Sequence, residues 1–452
     1  MSARPTDDDR LASRYAAALL QSLDLAVPAP ALAPLHPALA AAACGLQALT
    51  GESDGPALIC PAPLAAAADA ALAALATLAP EGAFEGLAGR DLLTERAAVF
   101  GHARRGAVSP GSSCRLLATR DGAVALNLAR DDDWSLLPAL FERDLDAEDW
   151  PAVTRAVSGL RMHDVVERGR ELGLAVAPVV PPPSQPPPWV RTVASARPDP
   201  HPAPRPRVLD LSSLWAGPLC GHLLQRCGAE VVKLEGLQRP DGARRGPAAF
   251  FDLMNAGKRC VALDFGSPEG RRQLAALIAR ADIVIEASRP RALRQLGIDA
   301  EALVRERPGL TWISLTGYGR EAPAAQWVAY GDDAGVAGGL AYLMRQVHGH
   351  ACFVGDAIAD PLAGLHAALA AWAGWRAGGG GLLSVSLVDV IRHVAAFEAL
   401  GDAAAWRRRA QRWTQCVEAA APGAPAARAA PAAAAAHGAD TAAVLADWGV
   451  GC

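Results

Sequence analysis

The pattern of hydrophobic and polar positions divides the chain at a proline-rich stretch. Twelve of the 29 residues from Pro178 to Pro206 are proline, which predicts an extended linker, placed here at 181–206. Beyond it, short apolar runs alternate with amphipathic stretches, a pattern typical of a parallel sheet covered by helices. The predicted strands are 207–211, 229–235, 258–263, 283–286 and 310–315, and the predicted helices include 217–227 and 268–281. We therefore expect an α/β domain over 207–400.

The residues before the linker predict a smaller domain of a different kind. An Ala-rich run over 65–78 has high helix propensity. Asp121-Gly122 lies between two apolar runs, which is a hairpin signal. Helices are predicted over 134–141 and 153–172, and a strand over 175–180. These features indicate a small α+β domain at about 100–180.

The C-terminal region, 401–452, differs from both. Its Ala/Pro-rich run over 419–436 is of low complexity, and we expect this run to be poorly ordered. A helix is predicted over 440–448. The expected fold is thus α/β, with a large parallel-sheet domain, a second smaller α+β domain and a C-terminal tail.

Composition narrows the class of protein. The 452 residues carry a net charge of −4 without a basic stripe, so a nucleic-acid partner is not indicated. The apolar stretches are interrupted by acids, so no membrane span is expected. Residues 1–14 contain three consecutive Asp and no apolar core, unlike a signal peptide. The nine Cys form no CxxC pair, which argues against a disulfide framework. We expect a cytoplasmic protein.

One carboxylate stands out because of its surroundings. Asp360 follows a short apolar run and precedes an Ala/Leu-rich helix, and no Lys or Arg lies within six residues of it. An acid in this place is either a helix N-cap or a reactive group. Its local sequence alone leaves both interpretations open.

Residues 207–400 resemble the class III CoA-transferase family, which includes formyl-CoA and carnitinyl-CoA transferases and α-methylacyl-CoA racemases. The resemblance rests on an ordered series of short motifs. They are Val208-Leu209-Asp210-Leu211, Ala216-Gly217-Pro218, Gly228 to Glu235, Asn255 to Asp264, Ser267-Pro268-Glu269-Gly270, Ala281 to Glu286, Arg289-Pro290, Leu296-Gly297 and Ser314 to Gly319. The resemblance implies a Rossmann-like fold for the large domain.

The resemblance also implies a chemistry. The family's catalytic Asp is followed after three residues by Gly and an Ala/Leu-rich helix, and Asp360 with Gly364 matches this segment. Such an Asp attacks an acyl-CoA thioester and later carries CoA as an aspartyl thioester. The implied activity is CoA transfer between an acyl-CoA and a carboxylic acid. CoA is then a substrate, no permanently bound cofactor is expected, and the resemblance implies a homodimer.

Alternatives within and outside this activity remain. Racemases of the family use a His in a Gly-His-Asp motif, and the matching stretch here is Gly331-Asp332-Asp333. A carboxylate does not simply replace an imidazole that titrates near neutral pH, so transfer is favoured over racemisation. An acyl-CoA racemase or epimerase remains an alternative. A degenerate, non-catalytic CoA-binding subunit is another.

The resemblance assigns CoA-binding residues by motif position. Ala216 and Gly217 form the first strand-to-helix turn, where backbone amides can hold an anion. The basic pair Lys258 and Arg259 matches the family's pair beside the CoA phosphates. Two further Arg are assigned at related motif positions. They are Arg289 and Arg294, beside Ala287, Ser288 and Gln295, where the sequence departs from the family pattern.

An internal repeat links the two halves. Ala62-Pro63-Leu64-Ala65 and the helix after it parallel Asp360-Pro361-Leu362-Ala363, so a degenerate copy of the catalytic-Asp region is expected at about 35–80. Ala62 stands where the nucleophile would be. Residues 100–180 resemble the family's small domain, which normally follows the catalytic region. We therefore expect residues 1–180 to supply that domain from the N-terminal side.

Two further patterns are weighed and set aside. His348, His350 and Cys352 alternate and would share one face of a strand, but no fourth ligand is evident, so no metal is expected. The glycines at 378–381 occupy a turn position between a predicted helix and a predicted strand. We interpret them as a turn and not as a phosphate loop.

Overall fold

The computed structural model describes residues 6–200, 203–418, 420 and 423–451. The N-terminal part is helical and packs against the rest of the chain. Its helices are α1 (Leu11–Ser22), α2 (Pro37–Ala43), α3 (Leu64–Leu78) and α4 (Glu95–Phe100). Helix α3 is rich in Ala and is buried along most of its length, as the Ala-rich pattern requires.

A small antiparallel sheet follows. It has the order β1-β2-β3, formed by β1 (Cys114–Ala118), β2 (Ala123–Asn127) and β3 (Ala175–Pro178). Asp121-Gly122 forms the turn of the β1–β2 hairpin, as the sequence predicts. Three helices complete this unit: α5 (Leu137–Phe141), α6 (Trp150–Ser158) and α7 (Met162–Glu171). The single helix predicted over 153–172 is thus two helices, which separate at Gly159.

The large sheet has seven strands in the order β4-β10-β9-β8-β5-β6-β7. Every neighbouring pair is parallel except β4 with β10, which is antiparallel. The strands are β4 (Arg191–Ser195), β5 (Arg207–Asp210), β6 (Glu230–Gly236), β7 (Arg259–Leu263), β8 (Ile283–Glu286), β9 (Thr311–Thr316) and β10 (Gly381–Ser386). The predicted strands 207–211 to 310–315 lie within two residues of these bounds.

The helices from residue 207 onward include those that cover both faces of the large sheet. They are α8 (Ala216–Arg226), α9 (Ala248–Asn255), α10 (Pro268–Ile278), α11 (Pro290–Gln295), α12 (Ala300–Glu306), α13 (Gly331–Ala337), α14 (Leu340–His348), α15 (Ala359–Arg376), α16 (Leu387–Ala396), α17 (Ala403–Glu418) and α18 (Thr441–Asp447). Successive strand residues point to opposite faces. Val208 accordingly belongs to the apolar cluster with α8 and α15, and Leu209 to the cluster with α10 and α12.

Helix α15 is the central element of the first cluster. It packs against α8 on one side and against α3 of the N-terminal part on another. All of its residues are buried except Asp360, Gly374 and Arg376. The two helices matched by the internal repeat are therefore in direct contact, with Ala62 buried just before α3.

The proline-rich segment is not only a linker. It contains the edge strand β4, which pairs with β10 and was not predicted. Trp189 is buried in the same segment, and its Nε1 donates to Ser22 Oγ at 2.9 Å. The strand itself contains no proline, so all of its backbone N–H groups are present for pairing. The segment thus joins the sheet while it connects the two halves.

The Ala/Pro-rich run differs from expectation where the structure describes it. Ala419, Ala421 and Pro422 lie outside the described residues. Residues 423–436 form no regular element, yet they are anchored: Arg428 Nε donates to Glu95 Oε1 at 2.7 Å and Ala434 N donates to Asp252 Oδ1 at 2.8 Å. The expectation of poor order neglected these long-range contacts. Within the described part of the chain, no helix is both long and apolar enough to cross a bilayer.

Candidate active site

Asp360 lies in the first turn of α15, but it does not cap the helix. The N-cap residue is Ile358, and no side chain caps this end. Asp360 is partly exposed, in contrast to the buried residues around it. The N-cap interpretation of this carboxylate is therefore wrong, and its side chain is available for other contacts.

The turn before α15 is held in an uncommon conformation. Ala357 has φ +45°, in the left-handed region that L-residues other than Gly seldom adopt. Its N–H donates to Asp332 Oδ1 at 2.8 Å, and its carbonyl accepts from Asp360 N at 3.0 Å. Strained backbone of this kind is often found at functional sites. Here the turn holds the backbone of Asp360 at the start of α15.

Gly331 brings a second backbone segment against Asp360. Its backbone N–H faces the carboxylate and lowers the pKa of Asp360. A Cβ at this position would lie 2.3 Å from Asp360 Oδ2 and 2.3 Å from the Ala357 carbonyl oxygen. Only glycine fits, so the start of α13 and the start of α15 meet at the carboxylate.

Two cavities meet at Asp360. The sheet-edge cavity, of about 270 Å3, lies beside the carboxyl ends of β8 and β9; its lining includes Ala216, Gly217, Ser288, Arg289, Thr316 and Tyr330. The N-terminal cavity, of about 350 Å3, is lined among others by Arg96, Phe100, Asn127, Trp215, Phe250 and Asp332. Asp360, Leu214 and Tyr330 line both. Ligands can therefore approach the Asp360 carboxyl from two sides.

A larger cleft continues from the sheet-edge cavity. This arginine groove, of about 950 Å3, shares Arg130, Arg289 and Trp327 with it. Its basic lining residues, apart from one His, are Arg130, Arg170, Arg239, Arg289 and Arg291. Four acids also line it: Asp132, Asp133, Glu167 and Glu171.

Most of the arginines in the arginine groove form no ion pair among the described residues, although acids also line it. Arg130 pairs with Asp133, whereas the other four Arg form no ion pair with the described residues. Burial and the neighbouring charges of Arg291 and Arg130 lower the pKa of Arg289. Clustered cations that repel one another in a cleft are typical of a site for a multiply charged anion.

The pKa values of Asp360 and of its neighbour Asp332 are raised. Burial raises the pKa of Asp360 to about 7; the charge of Arg96 opposes this shift and that of Asp332 adds to it. Burial and the charge of Asp356 raise the pKa of Asp332 to about 6. Desolvation thus outweighs the stabilisation that a helix N-terminus gives to an ionised carboxylate.

Asp356, four residues before Asp360, is not an alternative nucleophile. It is fully buried, and its Oδ1 accepts from Arg96 Nη1 at 2.6 Å while its Oδ2 lies 3.0 Å from His102 Nδ1. Both partners come from the N-terminal half, more than 250 residues away in sequence. No sequence motif marks Arg96 or His102, and the sequence analysis missed them.

The residues assigned to CoA by resemblance fall into two groups. Ala216, Gly217 and Arg289 line the sheet-edge cavity together with Asp360. Lys258, Arg259 and Arg294 line neither cavity beside Asp360 nor the arginine groove.

The second group has partners elsewhere. Lys258 Nζ is buried and donates to Asp210 Oδ2 and to the Pro218 carbonyl, each at 2.8 Å. Arg259 pairs with Glu230 and Asp447, and Arg294 with Glu301 at 3.2 Å. The structure thus gives these three side chains stabilising contacts within the protein, and it places other arginines in the cleft.

The patterns set aside in the sequence have structural explanations. His348 Nε2 lies 2.9 Å from the Ile59 carbonyl, and His350 Nε2 lies 3.8 Å from Glu52 Oε1. Among the described residues there is no group of three or more His, Cys, Asp or Glu placed to hold a metal ion. Residues 378–380 have positive φ and form the turn between α15 and β10.

Comparisons with known proteins fit this arrangement. A family model described as CoA-transferase family III matches residues 206–443. Succinyl-CoA–D-citramalate CoA-transferase of Chloroflexus aurantiacus is 32% identical over 186 residues, which are 40% of this chain and 46% of that protein. Succinate–glutarate CoA-transferase of Agrobacterium fabrum is 31% identical over 201 residues, 41% of this chain and 50% of that protein. The chain thus spans about half the length of these relatives.

A solved structure is also similar in sequence. A CAIB/BAIF family protein from Brucella suis aligns at 31% identity over 43% of this chain and 56% of that chain, with a TM-score of 0.39. This score is too low to support an argument about the fold. The match of the family model over residues 206–443 includes Asp360, Gly331 and the residues of the sheet-edge cavity named above, except Arg130.

Proposed function

The chain belongs to CoA-transferase family III, and on this premise we propose that it moves CoA from an acyl-CoA thioester to a carboxylic acid, with Asp360 as the nucleophile. The observation that carries the proposal is the position of Asp360: a partly exposed carboxyl at the junction of two cavities, one of which continues into the arginine groove. A nucleophile between a donor side and an acceptor side suits a transfer reaction.

The proposed chemistry uses four displacements at acyl carbons. The Asp360 carboxylate attacks the thioester carbonyl; the C–S bond breaks, and a mixed anhydride and CoA thiolate form. The thiolate attacks the Asp360 carboxyl carbon and releases the donor acid, which leaves an aspartyl-CoA thioester. The acceptor carboxylate attacks this thioester and expels the thiolate again. The thiolate then attacks the acceptor's acyl carbon, which frees Asp360 and requires no net proton or electron.

Backbone amides near Asp360 are placed to support these steps. Ala216 and Gly217 begin α8, where the first N–H groups of a helix have no intrahelical acceptor. Both residues line the sheet-edge cavity with Asp360. Donors of this kind stabilise the negative oxygen of a tetrahedral intermediate, typically by a few kcal/mol each. We assign Ala216 and Gly217 this role.

The arginine groove is the proposed site of the CoA phosphates. CoA carries a diphosphate and a 3′-phosphate, and Arg guanidinium groups bind phosphate oxygens bidentately. Arg239, Arg289 and Arg291 form no ion pair with the described residues and can donate to such a ligand, whereas Arg170 stacks on the rings of Trp327 and Tyr318. Lys258, Arg259 and Arg294 have no place in this proposal, because they line neither cavity beside Asp360 nor the arginine groove.

Trapping the intermediate tests the role of Asp360. Wild-type protein incubated with acyl-CoA and then with hydroxylamine should be modified at Asp360, as read by peptide mass spectrometry. Asp360→Asn keeps the shape and removes the attacking oxygen, so it should reduce transfer by roughly three orders of magnitude or more. Glu269→Gln, which changes an acid in the first turn of α10 far from the cavities, is the control. Modification elsewhere, or an active Asp360→Asn, would refute the assignment.

The homodimer and the cytoplasmic location implied by the family resemblance stay predictions. Light scattering of the purified full chain measures the oligomeric state. A single-mass peak at the monomer value, about 46.7 kDa, would contradict it. The location is tested by fractionation of the source cells.

A further inference from the structure

The N-terminal cavity contains a cation that the transfer chemistry does not use. We propose that this cation, Arg96, binds a second carboxylate on the acyl group or acceptor acid, so that the enzyme selects dicarboxylic substrates. The inference rests on the proposed function, since it places the acyl chain in the N-terminal cavity beside Asp360. It adds the substrate class and a residue that determines it.

Arg96 is held in one place by its neighbours. It lies on α4, and its Nη1 donates to Asp356 Oδ1 at 2.6 Å. The Phe100 ring lies beneath the guanidinium, with Cζ 5.2 Å from the ring centroid. Asp356 is itself fixed by His102 on its other oxygen. The guanidinium is therefore pre-oriented and loses little freedom when a ligand binds.

Most donors of Arg96 remain available. A guanidinium has five N–H groups, and among the described residues Asp356 is the hydrogen-bond partner of Arg96. Gly111 lies beside the other edge: a Cβ there would be 3.2 Å from Nη2. The side chain is 24% exposed and lines the cavity. The absence of a side chain at Gly111 thus leaves one edge of the fork open.

Arg96 favours an anionic ligand in a cavity whose other charged lining residues are acids. Asp332 and Asp360 both line the cavity and repel a distal carboxylate. Among its described lining residues Arg96 is the one Lys or Arg side chain, and it is the foremost opposing charge that acts on Asp360. Arg96 is therefore the charged donor that this cavity offers to a carboxylate, in addition to its pair with Asp356. The methylenes of a short chain can contact Phe100, Trp215 and Phe250, which line the same space.

The test compares two donors of equal carbon number. Succinyl-CoA has a terminal carboxylate where butyryl-CoA has a methyl group. We expect wild type to prefer succinyl-CoA in kcat/KM, and we expect Arg96→Met to lower kcat/KM for succinyl-CoA by roughly ten- to a hundredfold, the usual effect of a lost charged hydrogen bond. The value for butyryl-CoA should fall far less, so the preference collapses.

Arg96→Met removes the arginine partner of the buried Asp356, which destabilises the fold. A second variant therefore separates lost substrate preference from lost stability. Arg96→Met combined with Asp356→Asn removes both charges and should show the same loss of preference. Arg105→Met changes an exposed Arg of the loop after α4 and should keep the wild-type ratio. Equal loss for both donors in the double variant would overturn the inference and leave Arg96 as a counter-ion only.

A binding measurement separates this inference from the proposed reaction. Succinate should raise the Tm of wild type more than butyrate does, and the double variant should lose that difference. If no donor supports transfer but succinate still binds through Arg96, the proposed function fails and the binding site stands. If transfer occurs but succinate and butyrate bind alike, the dicarboxylate inference fails.

Discussion

At the scale of single residues, the site depends on carboxyl groups kept apart by their partners. Asp356 is buried but bonded to Arg96 and His102, so its charge is compensated. Asp332 accepts one backbone N–H, and the backbone N–H of Gly331 faces Asp360. Similar acids in one small volume thus acquire different tasks: one orients Arg96, one holds the turn, and one is free to react.

The pH dependence of transfer follows from the pKa of Asp360. Only the ionised carboxylate attacks, and burial raises its pKa to about 7. The ionised fraction falls tenfold for each pH unit below that value, so log kcat/KM should rise with a slope near one up to about pH 7 and then level off. A profile that is flat between pH 5 and 8 would show that Arg96 outweighs the burial.

The same shift has a consequence for stability. The folded state holds a proton on Asp360 up to about pH 7, whereas the unfolded chain loses it near pH 4. Stability from this group is therefore present at low pH and is lost as pH rises from about 4 to 7. Asp360→Asn should have a higher Tm than wild type, by a margin that grows over this range in calorimetric scans. A constant margin would contradict the raised pKa.

At the scale of elements, the crossing of α8 and α15 positions the groups to which the proposed reaction assigns roles. The N-terminus of α8 supplies Ala216 and Gly217, and the N-terminus of α15 supplies Asp360. Gly364 lies at the contact: a Cβ there would be 2.7 Å from the Ala216 carbonyl oxygen and 3.1 Å from Leu219 Cδ2. The spacing of the two helices is thus set by a missing side chain.

Gly364→Ala tests this crossing. The added methyl should force the helices apart and cost about 1–3 kcal/mol in the free energy of unfolding, with loss of transfer activity. Gly374→Ala on the same helix is the matched control, since its Cβ would come no closer than 3.3 Å, to Leu383 Cδ1. There the gain in helix propensity, up to about 1 kcal/mol, should be seen. Equal effects of the two in urea denaturation would argue against a crossing set by Gly364.

Lys258 is expected to act on the fold and not on CoA. It ties β7 to Asp210 at the end of β5 and to the first turn of α8. Lys258→Met leaves Asp210 buried without this partner and should cost about 3–5 kcal/mol. Arg289→Met should instead keep stability and weaken CoA binding measured by calorimetry. If Lys258→Met weakened CoA binding and kept stability, while Arg289→Met lowered stability, Lys258 would be assigned to CoA again.

At the scale of the whole molecule, the N-terminal half completes the site formed by the family-like half. Helix α3 packs along α15, Asn127 Nδ2 donates to Asp333 Oδ1 at 2.8 Å, and Arg428 reaches Glu95. The small sheet and α4 supply one wall of the N-terminal cavity. The two halves therefore share a core and a cavity within one chain.

A fragment of residues 207–452 should accordingly fail by itself. Removal of the first half exposes the face of α15 that α3 covers, and an exposed apolar face of this size promotes aggregation. We expect the fragment to be insoluble or inactive when expressed alone, and to recover when residues 1–206 are expressed with it. A monodisperse, active fragment would show that the N-terminal half is dispensable.

Local sequence determined the elements and marked the proposed nucleophile. The strands from β5 to β9 follow from short apolar runs bounded by turns, because burial on both faces imposes that pattern. Asp360 is marked by motif, since Gly364 and the helix after it are neighbours in sequence. The hairpin at Asp121-Gly122 is likewise local, because the turn itself requires those residue types.

The tertiary structure decided which charges meet. Arg96 and Asp356 are 260 positions apart, and nothing near either residue in the chain marks the pair. Lys258 has a family-like position but forms an ion pair with Asp210. The arginines of the groove come from separate segments of the chain. Strand β4 forms in a proline-rich segment because β10 offers it an edge. Such pairings depend on which distant surfaces pack together, and local residue preferences do not contain that information.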